Sequence, residues 1–184
     1  IVNVLLAANA DPSMATTDYG QTPLYRAARK GHLDIVNVLL AANADPSVAT
    51  TDDGQTAMYA AARKGHLNII NVLLAANADP SAATTDHGAS PLYIATAKGH
   101  LDIVNVLLAA NADPSVATTD DGQTPIYIAA EEGHLNIVNV LLAANADPSV
   151  ATTDDGQTPI YIAAEKGHLD IVNVLLAANA DHSM

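Results

Sequence analysis

The chain has 184 residues and a formal charge of −13; 49% of it is apolar but only 3% is aromatic, with no Phe, Trp or Cys. A core limited to Ala, Leu, Ile and Val suits tightly stacked helices better than one large interior. The charge argues against nucleic-acid backbone and anionic lipid as partners. The lack of Cys excludes disulfides and thiolate metal sites and is compatible with an intracellular, cytoplasmic setting. No apolar run approaches the roughly 18 residues a membrane helix needs, and no signal peptide is expected.

The pattern repeats every 34 residues. The Asp of Ala-Asp recurs at Asp11, Asp45, Asp79, Asp113, Asp147 and Asp181, and the His of Gly-His-Leu at His32, His66, His100, His134 and His168. Such a period means a stacked solenoid, because one repeat cannot bury its apolar face without a neighbour. The expected divisions are a partial repeat at 1–19, repeats at 20–53, 54–87, 88–121 and 122–155, and a last repeat at 156–184 without its complete arm.

In chain order, Ile1-Val2-Asn3-Val4-Leu5-Leu6 opens inside an apolar helical stripe with no initiator Met, so a longer parent array is expected. Uncapped apolar end faces would then favour end-to-end association. Thr22-Pro23 places a capping hydroxyl before a proline, which fits the first helical position because its missing N–H would be unpaired there. The same pair stands at Thr124-Pro125 and Thr158-Pro159. The helix so begun runs through Leu24, Ala27 and Ala28 and is predicted to stop near Gly31, a residue free to take the left-handed conformation. Ile35, Val36, Leu39 and Leu40 then form one apolar stripe of a second helix. Asn43 is its predicted left-handed cap. From Asp45 to Gly54 turn formers dominate, and an extended, hairpin-like arm is predicted.

Gly20 to Asp53 reads GQTPLYRAARKGHLDIVNVLLAANADPSVATTDD, and the later copies differ from it at a handful of positions. Gly-x-Thr-Pro-Leu, Ala-Ala, Gly-His, Ile-Val, Leu-Leu and Ala-Asp together resemble the ankyrin repeat, over the whole chain. The Trp and Gly-x-x-Tyr pattern of a tetratricopeptide is missing. The resemblance implies an all-α solenoid of stacked helix-turn-helix units with short hairpin arms. It also implies a noncatalytic module that binds a partner protein. Three departures stand out. Tyr25, Tyr59, Tyr93, Tyr127 and Tyr161 replace the usual His that braces the neighbouring arm, so that brace is expected to be rearranged. The arm is one residue longer than the family's. Asn37 and Ala41 leave the outer face of the second helix nearly uncharged.

Metal binding by the recurring His is disfavoured, since copies spaced by about 10 Å cannot converge on one ion. A bond to backbone at the inter-helix turn is the expected role. Asp45, Asp52 and Asp53 lack the ligand alternation and closing Glu of a calcium loop and are expected to be turn and cap residues. Ser47, His32 and Asp34 supply the types for nucleophilic catalysis, yet recur copy after copy without convergence. Neither catalytic residues nor a cofactor are expected. The paired threonines, as at Thr50-Thr51, read as turn and strand residues.

The positions that change between copies are the informative ones. By resemblance, Arg26, Arg29, Lys30, Arg63, Lys64, Ile94, Lys98, Ile128, Glu131, Glu132, Ile162, Glu165 and Lys166 line a concave groove. Tyr19, Asp53, His87, Asp121 and Asp155 stand at the arm tips. Five of the seven basic residues lie between Arg26 and Lys64, while all three Glu, with Ile94, Ile128 and Ile162 as exposed candidates, lie in the last repeats. The expected partner presents an acidic patch to the first half and an apolar, partly basic patch to the second. A structural spacer, self-association through the ends, or an engineered scaffold without a natural partner are the alternatives.

Overall fold

The computed structural model describes residues 2, 4, 8 and 10–181, with no side-chain description for 179–181. From residue 23 onward it forms ten helices, five pairs in chain order. The pairs are α1 (Pro23–Lys30) with α2 (Leu33–Ala41), α3 (Ala57–Lys64) with α4 (Leu67–Ala75), α5 (Pro91–Ala97) with α6 (Leu101–Ala109), α7 (Pro125–Glu131) with α8 (Leu135–Ala143), and α9 (Pro159–Lys166) with α10 (Leu169–Asp181). No strand occurs among the described residues.

Local rules set the boundaries. The hydroxyls of Thr22, Thr56, Ser90, Thr124 and Thr158 each accept the N–H of the Tyr three residues on, fixing the start of every first helix. At the end of α1, Gly31 sits at φ 78°. There the His32 N–H reaches the Ala27 carbonyl at 3.0 Å and the Gly31 N–H reaches that of Ala28 at 3.3 Å. This paired closure satisfies carbonyls the helix would leave orphaned. Asn43, at φ 62°, does the same for α2. Its N–H bonds Leu40 O at 2.9 Å, and that of Ala44 bonds Leu39 O at 3.0 Å. Asn77, Asn111 and Asn145 repeat this left-handed cap.

Each first helix packs on its partner and on the first helices before and after it, and the second helices form a parallel layer. One apolar cluster therefore runs through all five pairs, from Leu24, Val36 and Leu39 through Met58, Ile70, Leu73, Leu92 and Leu107 to Ile171 and Leu175. Along α2 the stripe behaves as its spacing demands: Val36 and Leu39 are buried, while Ile35 and Leu40 pack at the margin.

Successive pairs are also joined through turns and arms. A Cβ on Gly31 would lie 2.8 Å from the His66 ring, so this glycine serves both its positive φ and the seating of the next repeat's imidazole. The backbone contact expected within the turn instead crosses repeats, where the His168 Nε2 lies 3.1 Å from Glu131 O. Each arm closes on itself, as by the Thr50 N–H to Gln55 O at 3.0 Å. It is also tied to the previous arm: the N–H groups of Thr51, Thr85, Thr119 and Thr153 donate to the carbonyls of Tyr19, Asp53, His87 and Asp121 at 2.8–3.0 Å. The paired threonines are thus turn residues, and the ladder holds one backbone bond per step. No helix of the described residues is long and apolar enough to cross a membrane.

Candidate protein-binding face

The residues expected to meet a partner lie on the first helices, near their C-terminal ends, and at the arm tips. Arg26, Arg29 and Lys30 on α1 are exposed, as are Arg63 and Lys64 on α3. Lys98, Glu132, Glu165 and Lys166 are exposed along the later pairs, with Ile94 and Glu131 half-buried. Ile128 and Ile162 depart from the expectation of exposure: they are only 7% and 3% accessible. Their position lies at the margin between stacked first helices, where a short branched side chain gains by lying against the neighbour. At the equivalent position on α1, the long stem of Arg26 carries its charge out to water. The second half of the face therefore lacks the apolar patch these two isoleucines were expected to supply.

Helix electrostatics separate the charges further. Arg29, Lys30, Arg63 and Lys64 occupy last turns, where carbonyl dipoles favour cations. Glu131, with Glu132 following it, stands at the same kind of end on α7, where a carboxylate is disfavoured. Lys166 Nζ lies 3.8 Å from Glu131 Oε1 and offsets part of that cost. His87 lies 2.9 Å from an Asp120 oxygen and 3.4 Å from an Asp86 oxygen, contacts that carry opposite charges only when the imidazole is protonated. Arg26, Arg29, Lys30, Arg63 and Lys64 take part in none of these pairs.

Between face and arm runs a side-chain brace. The Tyr25 hydroxyl donates to Gln55 Oε1 at 3.0 Å, Tyr93 to Gln123 at 2.6 Å and Tyr127 to Gln157 at 2.9 Å, each reaching the next repeat's arm. Gln55 in turn donates through Nε2 to Asp53, which also accepts the Thr50 hydroxyl. Burial pushes the phenols of Tyr25, Tyr59, Tyr93 and Tyr127 upward, that of Tyr127 to about 12. The tips are consequently unequal. Asp53, Asp121 and Asp155 are engaged by Thr50, Thr118 and Thr152 of their own arms, and the Thr152 hydroxyl helps hold Asp155 below the usual carboxylate range. Tyr19 and His87 project into solvent.

A family model described as ankyrin repeats (3 copies) matches residues 42–118 and 92–184, and one for a single ankyrin repeat matches residues 19–51. The chain belongs to the ankyrin-repeat family. The comparison with curated proteins gave no match. Ankyrin repeats generally serve protein–protein interaction and are typically non-enzymatic.

Within this ankyrin array the recurring acids do framework work. Asp11, Asp45, Asp79, Asp113 and Asp147 each accept at 2.8 Å the N–H of the Ser two residues on, the turn role expected of them. The Ser47 hydroxyl and N–H also draw Asp45 below its ordinary pKa. No group of three or more His, Asp or Glu among the described residues is placed to hold a metal ion. The sequence reading missed the glutamines. Gln55, Gln123 and Gln157 recur in Gly-Gln-Thr, and their loss at Ala89 was the available signal.

Proposed function

We propose that this ankyrin array is a noncatalytic recognition module that holds a partner protein along the face built by the first helices and arm tips. The observation that carries the reading is the charge pattern of that face. The core repeats almost unchanged, whereas the residues that close the first helices switch from Arg29-Lys30 and Arg63-Lys64 to Glu131-Glu132 at equivalent positions. Helix stability explains the basic pairs but opposes the acidic one, so framework demands alone do not account for the switch. A partner with complementary charge gives it a physical purpose, steering association and fixing register. The test is affinity capture from a cell extract, comparing wild type with an Arg26→Glu, Arg63→Glu, Glu132→Lys variant that remains helical. A protein retained by wild type and lost by the variant supports the reading; identical retention on both overturns the assignment of this face.

A further inference from the structure

We propose that the first half of this face binds a carboxylate-rich, extended segment of the partner, with Arg29 and Arg63 gripping carboxylates on successive repeats. The inference rests on the recognition reading above and names the chemistry of its ligand.

Arg26, Arg29 and Lys30 fall at i, i+3 and i+4 on α1, which is the spacing of one helix face. Arg63 and Lys64 hold the positions of Arg29 and Lys30 one period later, on the helix that packs directly against α1. All five are exposed, and none enters an ion pair among the described residues, although Arg26 is near enough to Asp18 to help lower its pKa. Arg29 and Arg63 both oppose the upward shift that burial gives the Tyr25 phenol, so the two cations of successive repeats lie within electrostatic reach of one side chain. The helix dipole accounts for the basic pairs at the helix ends. It does not account for Arg26, which stands mid-helix where the other repeats carry Ala60, Ile94, Ile128 and Ile162.

The ligand chemistry follows from three constraints. Guanidinium groups bind carboxylates as planar, bidentate partners, which ranks arginine above lysine as the grip. Packed helices lie about 10 Å apart, and an extended chain of the polyproline II kind rises by about 3.1 Å per residue and presents the same face every third residue. Carboxylates three residues apart, in a Glu-x-x-Glu spacing, therefore meet successive repeats. Finally, Asp120, Asp121, Glu131 and Glu132 lie further along the array, so a long, uniformly charged polyanion would be repelled where a short acidic segment is not.

The experiment is fluorescence anisotropy with a labelled, otherwise neutral peptide carrying Glu-x-x-Glu, beside its Gln-x-x-Gln counterpart. The proteins are wild type and Arg29→Gln with Arg63→Gln, both checked for helicity by circular dichroism. The Glu peptide is expected to bind wild type saturably, with affinity falling as salt rises. Binding should weaken at least tenfold in the double variant and be absent for the Gln peptide. Failure of the Glu peptide to bind wild type, or equal binding by the variant, overturns the proposal. If capture still yields a partner dependent on the face while the peptide fails, the acidic segment alone is wrong; if both fail, the recognition reading falls with it.

Discussion

At the junction of α1 with α3, Tyr25 reaches across to Gln55, which continues through Asp53 to Thr50. At the next junction, α3 with α5, Tyr59 has Ala89 where that glutamine would stand, and its hydroxyl has no hydrogen bond among the described residues. The same repeat buries Thr96, whose hydroxyl is without a partner, at a position that is Ala28, Ala62, Ala130 and Ala164 elsewhere. Yet both junctions keep the arm-to-arm backbone bond, at 3.0 Å from Thr51 to Tyr19 and from Thr85 to Asp53. Both also seat a histidine on the preceding glycine and bury the same apolar stripe. Apolar contact and backbone pairing thus suffice to hold a junction, and the tyrosine brace is an increment added to them.

The comparison is tested most strongly by alkali. Buried Tyr25, Tyr59 and Tyr127 and half-buried Tyr93 have raised pKa values, so they bind their protons more tightly folded than unfolded. Their contribution is complete below the unfolded value of about 10 and is lost as pH rises through the folded one. Circular dichroism should show helicity held to about pH 10 and lost toward pH 12, with phenolate absorbance rising alongside. Phenolate absorbance amounting to more than two of the six tyrosines near pH 10, with helicity intact, would mean that these four hydroxyls are solvated. Next in size, Leu107→Ala removes a fully buried stripe residue and should cost about 2 to 5 kcal/mol in urea unfolding. A cost below about 1 kcal/mol would contradict a junction held mainly by apolar packing. From the sequence, Leu5→Ala in the first stripe is expected to cost much less than Leu107→Ala, but Leu5 lies outside the described residues.

Thr96→Val removes the orphaned hydroxyl while keeping side-chain shape and should raise stability by about 1 to 3 kcal/mol. An unchanged urea midpoint would show that the hydroxyl finds a partner in solution. The smallest effects come from the brace. Tyr93→Phe should lower stability by about 0.5 to 1.5 kcal/mol, whereas Tyr59→Phe, with no glutamine opposite, should be near neutral. Equal losses at the two sites would dissolve the distinction between braced and unbraced junctions.

The 34-residue period, the helix starts at Thr22, Thr124 and Thr158, the glycine stop and the Asn43 cap were all legible in the sequence. They follow from backbone chemistry acting over a few residues, where hydroxyl, missing N–H and left-handed φ leave their own signatures. Tertiary structure alone decided that Gln55 receives the Tyr25 hydroxyl, that Asp53 is tied into its arm, that His66 rests on Gly31, and that Ile128 and Ile162 are covered. These features, apart from the tie within the arm, depend on atoms about one period apart in sequence meeting as repeats stack. Even that tie, between Thr50 and Asp53, depends on how the arm turns. The repeat pattern specifies that stacking occurs, but the rotation of one repeat on the next selects the margin positions that water still reaches.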